Sequence, residues 1–155
     1  MGLPQDHTPG DVNGYMLMID GDTHRGEIFR TQITSGLTTA FRYEFSAWIA
    51  SLYGGGENPK IHFELRDNSF NLIRQSSHIE VNYDAANPWK RVSVMFDIPN
   101  GTTSLYIVLV NENNDRDGND FVVDDLSFAP CYTPIVASFS NSSIVNKALF
   151  VTMVQ

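Results

Sequence analysis

Apolar and polar residues alternate at a period of two in segment after segment, and this constrains the fold more than any other feature. Tyr15, Leu17 and Ile19 alternate with Met16, Met18 and Asp20. Tyr43, Phe45, Ala47 and Ile49 alternate with Arg42, Glu44, Ser46 and Trp48. Ile61, Phe63 and Leu65 alternate with His62, Glu64 and Arg66, and Val92, Val94, Phe96 and Ile98 with Arg91, Ser93, Met95 and Asp97. Successive side chains of a strand point to opposite sheet faces, so each segment reads as a strand with one face in a core. Glu27 to Ile33, Ser104 to Val110 and Phe121 to Phe128 join them, because β-branched and aromatic residues fill them.

Turn chemistry separates these runs: Asp20-Gly21-Asp22, Ser35-Gly36, Gly54-Gly55-Gly56, Asp67-Asn68, Asn87-Pro88 and Pro99-Asn100-Gly101. No long stretch carries helical spacing, which disfavours a parallel α/β fold. Many short strands between regular turns predict an all-β, antiparallel sandwich or barrel. At 155 residues and 42% hydrophobic, the chain has apolar material for one core but not for two. Residues 1–131 are read as one module. Residues 132–155 open with a Ser-, Thr- and Pro-rich stretch and read as a linker-like tail, an extra strand or the start of a following module.

Charge narrows the partners. The net charge of -8 is the opposite of a nucleic-acid footprint and disfavours anionic membrane surfaces. The longest aliphatic run, Ile107 to Val110, is far short of the roughly 18 residues that membrane insertion needs. Neutral ligands such as sugars stay open, as do cations. The lone Cys131 excludes an intrachain disulfide and reads as a small hydrophobe. Met1 to Gly10 has no basic or apolar region, so it does not read as a signal peptide.

Four constellations carry chemistry. In Val123-Asp124-Asp125-Leu126-Ser127-Phe128, period two turns Asp124 inward if Leu126 and Phe128 face the core. A buried carboxylate then needs a counter-charge or a hard cation such as calcium; alternatively, a bulge releases both aspartates to water or to backbone NH groups. Asp6-His7-Thr8-Pro9-Gly10 alone is a polar turn. The loop Asn111 to Asp120 echoes the start of a calcium loop but lacks its closing glutamate, and reads as a solvated loop. The fourth is a polar sheet face of Arg42, Glu44, Trp48, His62, Glu64 and Arg66, with Tyr106 beside it. There an aromatic ring among polar groups suits a pyranose, whose CH face stacks on the ring. Trp89 reads as core. Glu44 and Glu64 have the residue types of a glycosidase carboxylate pair, as do many pairs of surface acids in an acidic domain. No P-loop, nucleophile elbow or zinc-protease spacing is present, so no enzyme is expected.

Asp6-His7-Thr8, Gly14-Tyr15-Met16, Tyr43 to Ala50, Phe63 to Asp67, Trp89-Lys90-Arg91 and Gly118 to Phe128, in that order, resemble bacterial extracellular jelly-roll modules. These belong to the galactose-binding-like superfold, which holds many carbohydrate-binding modules and, more distantly, MAM adhesion domains. The resemblance runs from about Asp6 to Cys131. It implies a jelly-roll β-sandwich in a secreted or cell-surface protein, with flanking domains of a larger chain. It further implies a structural calcium on Asp6 and Asp124, with Asp125 as an alternative ligand. Such modules carry a further strand ahead of the Asp-His-Thr signature, where this chain has only Met1 to Gln5; either Ile144 to Val154 replaces it or the chain is a fragment. The expected function is a non-catalytic module binding a polysaccharide or glycan. Trp48 would be the stacking platform, Glu64 and Arg66 would bond hydroxyls, and Tyr53 would be an aromatic in a glycine-rich loop. A spacer module that binds no sugar is the alternative.

Overall fold

Alternating β-branched and aromatic residues build nine strands in the computed structural model, which describes residues 5–131 apart from Val12, Asp22 and Arg116. They are β1 (Leu17–Ile19), β2 (Gly26–Ile33), β3 (Arg42–Ser51), β4 (Lys60–Arg66), β5 (Leu72–Gln75), β6 (Ile79–Glu80), β7 (Lys90–Asp97), β8 (Leu105–Asn111) and β9 (Phe121–Cys131). All pairings are antiparallel. One sheet has the order β1-β9-β3-β7; the other has β2-β8-β4-β5, with β6 also pairing β4. The chain crosses between the sheets at almost every connection, which makes the sandwich a jelly roll. Among the described residues no helix is long and apolar enough to cross a membrane. The readings placed on residues 132–155, including a strand at Ile144 to Val154, lie outside the described residues.

The inner faces are the expected ones. Phe45, Ala47 and Ile49 of β3 and Ile61, Phe63 and Leu65 of β4 are fully buried. The Phe45 and Phe63 rings meet across the sheets with centroids 4.4 Å apart. At the other end of β3, Tyr43 stacks on Phe128 at 5.2 Å, and its hydroxyl donates to the Gly36 carbonyl and accepts from Thr38 N–H. β5 and β6 were not anticipated; at four and two residues they are too short to show a period. Tyr15 is not an inward strand residue. It lies outside β1 and is 94% exposed, because the edge strand pairs only from Leu17 onward.

In β9 the period breaks. Ser46 pairs Ser127, but two residues further along β3 Trp48 pairs Asp124, so β9 holds one extra residue. Asp125 takes up that residue as a bulge with φ of +47°, a left-handed conformation that Asp tolerates better than most side chains. The bulge shifts the phase, so that Phe121 and Val123 point inward before it and Leu126 and Phe128 after it. Asp124 therefore does not turn into the core; the bulged alternative is the one realised.

Phe63→Ala tests the sheet-to-sheet contact. It should cost about 3–5 kcal/mol, the usual range for emptying a buried phenylalanine site. Urea unfolding should show this as a lower midpoint, whereas Leu72→Ala on the exposed edge of β5 should change it little.

Candidate functional site

Asp124 and Asp125 stand outward at the bulge and receive the N-terminal turn. Asp124 Oδ2 accepts the His7 backbone N–H at 2.8 Å, and its Oδ1 accepts the N–H of Asp125 at 2.8 Å. Asp125 Oδ2 lies 2.7 Å from His7 Nδ1, and its Oδ1 accepts the Thr8 hydroxyl at 3.0 Å. Hydrogen bonds from His7 first, then Thr8, hold the Asp125 carboxyl below the usual carboxylate range. The His7 ring stacks flat on Trp48, with centroids 3.7 Å apart, and meets Trp89 edge-on at 5.7 Å. Trp89 is half-buried and not core; its indole N–H donates to the Gln5 carbonyl at 3.0 Å. Asp6 folds back on the turn, where its carboxylate fills the space that a Cβ at Gly14 would need. The result is a clasp that ties the start of the module to the outer face of the four-stranded sheet.

The polar face expected from alternation is split in two. Arg42, Glu44 and Trp48 lie on β3, on the outside of the four-stranded sheet; His62, Glu64, Arg66 and Tyr106 lie on β4 and β8, on the outside of the five-stranded sheet. Stacked sheets sit about 10 Å apart. Glu44 and Glu64 therefore lie on opposite sides of the core, beyond the spacing of a glycosidase pair. The reason is the connection from β3 to β4, which changes sheet. Trp48 shares no face with Glu64 and Arg66, and His7 takes one face of its indole.

Each outer face is closed by its own long side chains. Arg91 grips Glu44 with both guanidinium nitrogens, at 3.0 and 2.7 Å, and this bond holds the Glu44 carboxyl low. On the other side Glu64 bridges His62 Nε2 at 2.9 Å and Arg66 Nε at 2.6 Å. Burial pushes the Glu64 carboxyl up, but those two bonds outweigh it and the carboxyl sits below its ordinary value. Arg66 donates on to the Phe70 carbonyl, and both Arg66 and Arg30 lie over the Phe70 ring.

One end of the sandwich gathers aromatic rings in the open. The strand registers bring Ile19, Gly26, Ser51, Lys60, Lys90, Asn111 and Phe121 to this end. Between β3 and β4, the loop Gly54-Gly55-Gly56 is bare backbone on which rings can lie. A Cβ at Gly54 would strike Tyr83 Cδ1 at 2.5 Å, and one at Gly55 would strike the Tyr53 hydroxyl at 2.5 Å. Tyr53 also covers Gly118, whose φ is +97°. Tyr53 and Tyr83 remain 38% and 37% exposed, so each presents a supported ring to solvent. Amides flank them: Asn58 Nδ2 donates to Glu80 Oε1 and to Asn82 Oδ1, and Asn58 Oδ1 accepts from Tyr83 N–H. The Asn111 to Asp120 loop is not simply solvated, because Asn119 is fully buried and its amide donates to the Asp115 carbonyl.

Tyr53 was legible as an aromatic beside glycines. Tyr83 was missed; its signal was an aromatic ring within the polar triplet Asn82-Tyr83-Asp84.

No protein-family model matches this chain, and no curated protein matches it. Solved structures do. A domain described as the EclA C-terminal domain, a sugar-binding protein, is similar with a TM-score of 0.51 and 23% identity, over 80% of this chain and 89% of that one. The enzymatically active domain of tailspike protein 4 from bacteriophage CBA120 has a TM-score of 0.54 and 10% identity. That match covers 82% of this chain and spans 17% of the tailspike chain. A structure described as CBM4 has a TM-score of 0.47 and 15% identity, over 66% of this chain and 60% of that one. The class is therefore fixed at the level of fold: an antiparallel jelly-roll β-sandwich, shared with the EclA C-terminal domain.

The clasp yields a stability expectation. Asp125→Ala loses two side-chain hydrogen bonds and leaves a Cβ at positive φ, so it should cost about 1–3 kcal/mol in chemical denaturation. Asp125→Gly should cost less, because glycine accepts that φ. His7→Ala should uncover Trp48 and shift its fluorescence to longer wavelength.

Proposed function

We propose that this chain is a non-catalytic carbohydrate-binding module of a secreted or cell-surface protein, taking a glycan at the loop end where Tyr53 and Tyr83 stand. The observation that carries this reading is the pair of half-exposed tyrosine rings laid on adjacent glycines, with side-chain amides beside them. A pyranose presents an apolar CH face and a rim of hydroxyls, and rings with flanking amides complement both. Rings already supported by backbone lose little freedom when a sugar stacks on them. The likeness to a domain described as sugar-binding supports the same reading. In it, Trp48 serves mainly as the floor of the clasp, while Glu64 and Arg66 hold the opposite face. The separation of Glu44 from Glu64 favours binding over hydrolysis.

The glycan site is tested by pull-down on insoluble polysaccharides and by a glycan array. Tyr53→Ala and Tyr83→Ala should each abolish most binding while leaving the melting temperature close to the parent's. Trp48→Ala should instead lower the melting temperature, through the lost His7 stack. If the parent binds no polymer, the spacer reading replaces this one.

Calcium belongs to the same reading, on Asp6 and Asp124. Both offer oxygen donors suited to a hard cation, and the bond from His7 N–H to Asp124 brings the residue next to Asp6 against the bulge. Asp125 is the alternative ligand; like those of Asp124, both its oxygens already accept bonds, here from His7 and Thr8. A calcium that binds only the folded chain adds about 2.7 kcal/mol at a hundredfold excess over Kd. Calcium should therefore raise the melting temperature of chelator-treated protein, and Asp6→Asn should reduce the rise. An unmoved melting temperature would remove calcium from the reading.

A further inference from the structure

The outer face of the five-stranded sheet holds a group that neither the clasp nor the tyrosine end uses. His62 lies on β4, and the strands on its two sides bring one residue each toward it. The β4–β6 register pairs Ile61 with Ile79, so His78 stands across from His62. The β4–β8 register pairs Ile61 with Asn111, and the Glu112 N–H donates to the Lys60 carbonyl at 2.8 Å. One ligand atom each from His62, His78 and Glu112 falls within 4.8 Å of the other two.

The hydrogen-bond geometry makes this more than proximity. His62 Nε2 lies 2.9 Å from Glu64 Oε1, and Glu64 is itself paired with Arg66. An ionised carboxylate only accepts, so Nε2 turns a proton toward Glu64 and Nδ1 is the ring atom that faces Glu112. That Nδ1 is fully buried, has no hydrogen-bond partner and stands in close contact with Glu112 Oε1. An imidazole nitrogen and a carboxylate oxygen meeting in a buried place need a cation between or beside them, a proton or a metal ion. A carboxylate behind a histidine is also how metal-bound imidazoles are oriented.

We infer that His62, His78 and Glu112 form a binding site for a divalent transition ion of the zinc type. Two imidazoles and one carboxylate suit zinc, whereas calcium prefers oxygen alone. Zinc bonds of about 2.0–2.1 Å need ligand atoms roughly 3.4 Å apart in a tetrahedron. The set reaches that by a small contraction, because His78 is 67% exposed and free to turn, and its Nδ1 is already 3.4 Å from Glu112 Oε2. Zinc's fourth position would be left to water or a ligand. Arg25 is the nearby cation; it lies 3.6 Å from Glu112 Oε2 on a mostly exposed side chain that can swing away. Zinc would staple β4, β6 and β8 together at this end of the sheet. The competing occupant is a second proton on His62.

The experiment is titration of the untagged full chain with zinc chloride at neutral pH, followed calorimetrically and against a zinc indicator dye. One site is expected. Removing a ligand should cost at least what removing its outer partner costs, so His78→Ala and Glu112→Gln should each weaken binding roughly tenfold or more. His78→Ala should keep the metal-free melting temperature, because the side chain is exposed. His24→Ala should bind as the parent does, and excess calcium should not compete. No zinc binding, equal binding by parent and His78→Ala, or loss in His24→Ala instead would overturn the site and leave the proton between His62 and Glu112.

Discussion

The contact of Phe45 with Phe63 is the point on which the module depends. Each strand has one apolar face and, taken alone, no way to bury it. Two sheets laid face to face solve this, and these rings are where they meet. Around them, Ile49, Ile61, Leu65, Leu105 and Leu109 fill the same layer at full burial. Burying such side chains stabilises by about 1.5–3 kcal/mol each, which is what offsets the ordering of so many non-local connections. Because the inner faces are committed to packing, most polar side chains on β3, β4, β7 and β8 are sent to one of two outer faces, and Ser51, Lys90 and Asn111 share the inner register only at the strand ends. The chemistry of the protein is therefore divided before any ligand is considered.

The bulge at Asp125 is the second constraint, and it follows from the first. Without the extra residue in β9, either Phe121 and Val123 or Leu126 and Phe128 would leave the core. With it, both pairs stay inside and the two aspartates are delivered to the surface beside Trp48. Asp125 tolerates the left-handed backbone, and the His7 and Thr8 bonds compensate it there. A packing requirement in the core thus creates an anchor outside it, and the anchor holds the Gln5 to Thr8 segment over the sheet. The tyrosine end relies on the same logic in reverse: glycines remove side chains so that rings can rest on backbone.

Much of the fold was legible. Seven of the nine strands lay in segments whose alternation or residue types marked them, because half-buried strands must alternate and turns need Gly, Pro, Asn or Asp. β5 and β6 were not, since two to four residues carry no period. The site was less legible. Period two tells which residues point outward, but it does not tell which of two sheets they point outward from. Glu44 and Glu64, or Trp48 and Arg66, look equivalent along the chain and stand on opposite sides of the core. Tyr83 showed no periodic signal because it sits in a loop.

The sequence by itself determined that the chain is all-β, where its main turns fall and which halves of its strands are apolar. These are local properties, set by side-chain alternation and backbone preference within a few residues. Only the tertiary structure decided that Asp125 is a bulge, that His7 covers Trp48, that Tyr53 and Tyr83 share one glycine loop, and that His78 and Glu112 flank His62. Each of those pairs residues about 16 to 50 positions apart or depends on one extra residue opposite a neighbouring strand. Such meetings are fixed by strand order and register, which are properties of the assembled sheets and not of any segment within them.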